Sequence, residues 1–206
     1  MFQNITAIDI VKLLSVGTFN ASEITTLESN AFQFLDVTAG KSLMQGVTVE
    51  SSKFTTMVAV SSTNENTFQS WSIQDVNSME NLFKLESTQS EIILGNLNLE
   101  NISGNTELFD MISISKGSVV LTNSIFHNIY DFSACIQTKG TFAAENTQLA
   151  RVNAVYYLRT SGQYTSLVNL NVTDSYVTSF LKLEKVIGEV FVRNAFIGTF
   201  VGSKFL

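Results

Sequence analysis

The chain has no proline in 206 residues, a single cysteine and a single histidine. Without proline, its turns must be made by residues that tolerate unusual backbone angles, chiefly glycine and asparagine. One cysteine, Cys135, excludes an intrachain disulfide and leaves the redox compartment open. Charged residues are only 15% of the total and the formal balance is −6. Nucleic-acid binders carry a clustered basic face, whereas the twelve Lys and Arg are scattered singly along this sequence. The same scatter argues against an anionic membrane surface. No apolar run reaches the roughly 18 to 20 residues needed to span a bilayer. Met1 to Val16 lack the basic start and small-residue cleavage site of a signal peptide. The chain is therefore expected either to be made without one or to be part of a longer protein.

What is present is a repeat, in a chain that is 45% hydrophobic and so able to build a core. The stretch Val119-Val120-Leu121-Thr122-Asn123-Ser124-Ile125-Phe126 recurs upstream around Asn96 and downstream around Asn146, Asn169 and Asn194. Looser copies fall around Ser70 and Ser51, so the anchors are 51, 70, 96, 123, 146, 169 and 194, on average close to 24 apart. Two residues before the anchors stand Val49, Phe68, Leu94, Leu121, Ala144, Leu167 and Val192; three after them stand Phe54, Ile73, Leu99, Phe126, Leu149, Val172 and Ile197. All are apolar, and the positions between are mixed. This is period-two alternation on both sides of a bend, the pattern of strands with one buried face. A third apolar run, such as Phe180-Leu181-Lys182-Leu183, precedes each pair and is usually closed by a glycine: Gly117, Gly140, Gly162 or Gly188.

A fixed period of this length with three short strands per repeat predicts an all-β parallel solenoid, a β-helix. The expected organisation is an irregular N-terminal segment, a cap or first coil, over residues 1–30, and the solenoid over 31–206. The run Ile8 to Leu14 suits either a cap helix or a coil. Stacked coils place equivalent residues about 4.8 Å apart. Asn96, Asn123, Asn146, Asn169 and Asn194 are thus expected to form a hydrogen-bonded ladder of side-chain amides at one bend, sparing polar groups that cost about 1–3 kcal/mol each when buried unpaired.

The pattern resembles the pectate-lyase-like right-handed parallel β-helix superfamily, over about residues 45–201. Phe191-Val192-Arg193-Asn194 is also similar to the repeats of large β-helical surface proteins. The resemblance implies a right-handed solenoid. It implies no chemistry, because many functions share the fold.

Members of that superfamily often bind or cleave polysaccharides, and a glycosidase needs two carboxylates about 5–10 Å apart over one sugar. The candidates are Glu145, with Arg193 in its column, and Asp75, Glu100 and Asp174 near turns. Asp75 and Asp174 lie four coils apart, roughly 19 Å, which is too far. His127, beside the inward Phe126, reads as a solvated histidine without triad partners, and Cys135 as a small core residue. No catalytic residue, metal site or cofactor is expected. Four Asn-x-Ser/Thr tripeptides, at Asn4, Asn20, Asn101 and Asn171, are glycosylation candidates, with Asn101 and Asn171 best placed. Ile93, Val120, Ile125, Phe191 and Phe196 fall where polar residues are expected and mark a possible partner surface. The composite expectation is a non-enzymatic structural or surface protein, extracellular, serving assembly, adhesion or a scaffold, with protein contacts through that patch or through an open C-terminal coil. The alternative is a carbohydrate-binding or carbohydrate-cleaving β-helix.

Overall fold

Two recurring columns of residues hold the backbone in the left-handed region, and these set the shape of the chain. The first column of bends is Glu23, Gly46, Ser70, Asn96, Asn123, Asn146, Asn169 and Asn194, with φ between +50° and +65°. The second, five residues later each time, is Glu28, Ser51, Asp75, Asn101, Asn128, Arg151 and Asp174, preceded by Asn4 in the opening segment. Asparagine and glycine dominate the first column because they reach this region at little cost. The computed structural model describes residues 1–206 except 15, 16, 39, 63, 105–108, 185–187, 199 and 202–206.

Ser51 belongs to the second column, and its expected place in the first is taken by Gly46. The error arose because apolar-x-apolar alternation flanks both bends alike. With Gly46 restored, the short interval before Ser70 vanishes, and the inward positions of that coil become Met44 and Val49.

The bends divide each turn into three strand columns. One precedes the first bend, as in Lys41–Gln45 and Asn66–Gln69. A short one lies between bends, as in Thr48–Glu50. A longer one follows the second, as in Asn30–Val37 and Ser175–Leu183. Every pairing between coils is parallel: Asn66 lies between Ser42 and Ile92, and Leu99 between Ile73 and Phe126. The result is an all-β parallel solenoid of about eight turns, with no helix among the described residues. The opening segment forms strands too. Phe2–Gln3 pairs with Thr25–Leu27, and Thr6–Leu13 with Asn30–Val37.

The core fills the lumen in stacked columns. Phe68, Leu94 and Leu121 make one and Ile73, Leu99 and Phe126 another, all fully buried. The residue after six of these first bends also points inward (Val47, Trp71, Leu97, Ser124, Thr147, Leu170). Trp71 anchors an aromatic cluster with Phe34, Phe68 and Phe83, its indole N–H donating to the Met44 carbonyl at 3.2 Å. Burying each such side chain stabilises the fold by about 1.5–3 kcal/mol. Alternation breaks once per turn within the third column, where two successive residues are buried: Phe34 and Leu35, Met57 and Val58, Leu82 and Phe83, Cys135 and Ile136, Tyr157 and Leu158. That break is a further corner.

Serine after a bend solves a local problem. Ser52 Oγ donates to the Glu50 carbonyl at 2.7 Å and accepts from the Ser29 amide at 3.0 Å. Ser124 and Ser175 do the same with Thr122 and Leu97, and with Thr173 and Val152. A hydroxyl there satisfies two buried backbone groups that the bend has pulled off register. The last corner of several turns is glycine (Gly117, Gly140, Gly162) for a different reason. A Cβ on Gly140 would sit 2.1 Å from the Gly117 carbonyl oxygen, so successive coils touch backbone to backbone.

Candidate functional site

The asparagine column lies on the surface. Asn146 donates to Asn123 at 3.0 Å, Asn169 to Asn146 at 2.8 Å and Asn194 to Asn169 at 3.0 Å, while Asn96 occupies the same column. All five side chains are exposed. The expectation that these amides are buried is therefore corrected: asparagine is placed there by its left-handed backbone. A second run at the other bend went unread in the sequence. Asn128 donates to Asn101 at 2.7 Å, and Asn101 to Asp75 at 2.8 Å. Its signal was available, since Asn101 and Asn128 each stand five residues past an anchor and precede an isoleucine.

The glycosylation candidates differ in geometry. Asn101 already uses its amide nitrogen toward Asp75 and sits at φ +54°. Asn4 is a bend residue at φ +53°, whereas Asn20 and Asn171 are exposed on strands. Among the apolar candidates, Ile93 and Val120 are direct register neighbours on the outward side of the first strand column. Phe191 shares that column but is separated from Val120 by Ala143 and Ser166. Ile125 and Phe196 lie on the strand between the bends, 46% and 63% exposed. Near the C-terminal end Leu183, Phe191, Val192 and Phe196 are all exposed, although Val192 belongs to an inward column. The residues after Val201 lie outside the described ones.

The acidic candidates have other partners. Asp75 accepts from Asn101, and Glu100 faces His127, 3.8 Å from its Nδ1. Glu145 is two coils from Arg193, with Val168 between them. No three His, Cys, Asp or Glu among the described residues come together to hold a metal ion. Among the described residues the most buried carboxylate is one the sequence did not single out. Asp110 is 7% exposed, its Oδ2 accepts from Arg159 Nη2 at 2.9 Å, and its Oδ1 has no partner. Burial raises its pKa above the usual carboxylate value, and the Arg159 charge only partly offsets this. Nearby, burial pushes up the thiol of Cys135 and the phenol of Tyr157, whose hydroxyl is also unpartnered. A thiol held protonated is inert. Asn81 Nδ2 donates to the Asp110 carbonyl, and the Phe109 carbonyl accepts from the Ser133 amide, so these contacts tie the segment entering the third column to the coils on either side.

The fold also gathers charge that is scattered in the sequence. Register places Lys12, Asp36, Ala59, Lys84, Ser113, Gln137, Arg159 and Lys182 in one column of the third strand. Lys116 and Lys139 follow at the adjoining glycine corner, so six of the twelve cations of a net-acidic chain share this side. Three are matched locally: Lys12 with Asp36 at 3.0 Å, Arg159 with Asp110 at 2.9 Å, and Lys182 with Glu184 at 2.6 Å. Lys182 also lies 4.9 Å over the ring of Tyr156. Its hydrogen bond holds the Glu184 carboxyl below its usual range. Compared with known proteins, the chain matches no protein family, no curated protein and no solved structure.

Proposed function

We propose that the chain is a non-enzymatic structural module, a right-handed β-helix of the pectate-lyase-like kind, that works by assembly or adhesion at or outside a cell surface. Right-handedness is the hand of nearly all parallel crossover connections. The observation that carries the reading is the pair of adjacent outward apolar residues, Ile93 and Val120, on the first strand column. Leu43 is 37% exposed there, Ile93 and Val120 are adjacent half-buried neighbours, and Phe191 is 47% exposed at the far end. A solenoid face gains nothing for its own core from outward isoleucine or valine, whereas an adjacent outward pair gains burial from a partner.

Sedimentation velocity over a wide concentration range tests this, with wild type beside Ile93→Lys/Val120→Lys. Concentration-dependent association that the double substitution weakens is the expected result. A wild-type chain that stays monomeric throughout would remove self-assembly from the reading.

A further inference from the structure

The glycine corner carries two neighbouring lysines. Gly140 stacks directly on Gly117, which places Lys139 one coil above Lys116. Coil spacing puts the two backbones about 4.8 Å apart. Both lysines are exposed, and neither forms an ion pair among the described residues. Like charges in neighbouring strand positions repel. Of the carboxylates at the rim, Glu86 lies beside Lys116 in register and accepts from Ser115 at 3.4 Å, Glu91 accepts from Ser118 at 3.3 Å, and Glu184 is held by Lys182 while also feeling the charge of Lys139; none of them forms an ion pair with Lys116 or Lys139 among the described residues.

Between these side chains lies a cleft of about 300 Å³, lined by Lys116, Lys139, Thr141, Gln163 and the two stacked glycines, with no carboxylate in its wall. The glycines leave its floor bare of side chains. Two lysines, a threonine and a glutamine therefore line one open volume.

We propose that this corner binds a tetrahedral oxyanion, sulfate or phosphate, either free or as an ester on a larger ligand. A dianion matches the two lysines in charge, whereas a single carboxylate would leave one of them unbalanced. Its oxygens accept from both ammonium groups at once, and charge-assisted hydrogen bonds are the strong ones. The inference is independent of the assembly reading, because it concerns a different side of the solenoid and a different measurement.

The test is titration of the full chain with sodium sulfate, sodium phosphate and dextran sulfate, at ionic strength held constant with sodium chloride. Heat and the amide resonances of Gly117 and Gly140 are followed. Saturable binding is expected, weakened about tenfold by Lys116→Gln and by Lys139→Gln and unchanged by Lys53→Gln, which removes the same charge on another strand. Saturation by the simple ions identifies a free oxyanion site; saturation by dextran sulfate alone identifies an ester-bearing ligand. Either supports the proposal. No saturation by any of the three, or equal weakening by Lys53→Gln, overturns it.

Discussion

Substituting Asn146 separates what the bend asks of its residue from what the side-chain run adds. The residue holds φ at +53° and takes part in two amide hydrogen bonds, with Asn123 at 3.0 Å and Asn169 at 2.8 Å. Both are exposed, so together they contribute about 1 kcal/mol, at the low end for such bonds. Leucine forced into the left-handed region adds about 1–2 kcal/mol of strain. Asn146→Leu should therefore cost about 2–3 kcal/mol, or about 2–4 °C in Tm for each kcal/mol in a chain of this size. Asn146→Gly removes the strain but keeps the lost bonds and adds glycine's conformational entropy, for about 1–2 kcal/mol. Asn98→Leu, on an exposed strand position, should stay within about 0.5 kcal/mol of wild type. Urea unfolding followed by circular dichroism measures all three. If Asn146→Leu is no worse than Asn98→Leu, neither strain nor side-chain run matters. If Asn146→Gly matches Asn146→Leu, the backbone part of the argument fails.

Arg151 sits at φ +55° in the second column, directly after Asn128. Arg151→Asn should relieve strain, extend the side-chain run and raise Tm by about 2–4 °C; an unchanged or lower Tm would contradict this. Gly140→Ala should destabilise by more than about 2 kcal/mol, because its Cβ would lie 2.1 Å from a backbone oxygen that cannot rotate away. Near-wild-type urea midpoints would show that the coils can separate there. Because the Asp110 pKa is raised in the fold, the native state keeps that proton to higher pH than the unfolded chain, whose reference value is 3.8. Stability from this group is thus greatest below the unfolded value and falls as pH rises through the folded one. Asp110→Asn should flatten that decline in a pH series of unfolding midpoints, and an unchanged slope would refute it. Expressed through a glycosylating pathway, the chain should carry glycan at Asn171 and not at Asn101, whose amide is already bonded to Asp75; peptide mass spectrometry decides, and glycan on Asn101 would show that contact to be open.

The period and the strand pattern were legible because the lumen allows little freedom. Phe68, Leu94, Leu121 and Leu167 recur at one register since each must fill the same slice of core. The second bend was harder to read, because its residues are diverse. Glu28, Ser51, Asp75 and Arg151 share no side-chain chemistry, only a backbone angle. The register between stacked strands enforces that angle whatever the residue, so composition carries no mark of it. The same diversity concealed the slip at Ser51. Asp110 was invisible for another reason: its partner Arg159 lies 49 residues away, and its burial depends on how the segment before Met111 is tied to neighbouring coils.

Charge was the property that sequence order hid most completely. Lys116 and Lys139 are 23 residues apart and look isolated, yet the repeat length brings them together. Most residues in this chain are accounted for by the solenoid itself: asparagine for its bends, glycine for its tight corner, serine for its displaced backbone groups, apolar residues for its lumen. Function has to be sought among the remainder, where a side chain costs the fold something and returns nothing to it. Ile93 and Val120 facing outward meet that criterion, and so do two lysines stacked one coil apart that form no ion pair among the described residues. The first pair asks to be covered and the second to be neutralised. A molecule that does either will lie along the side of the solenoid, across coils, so that its contacts repeat at the spacing of the strands.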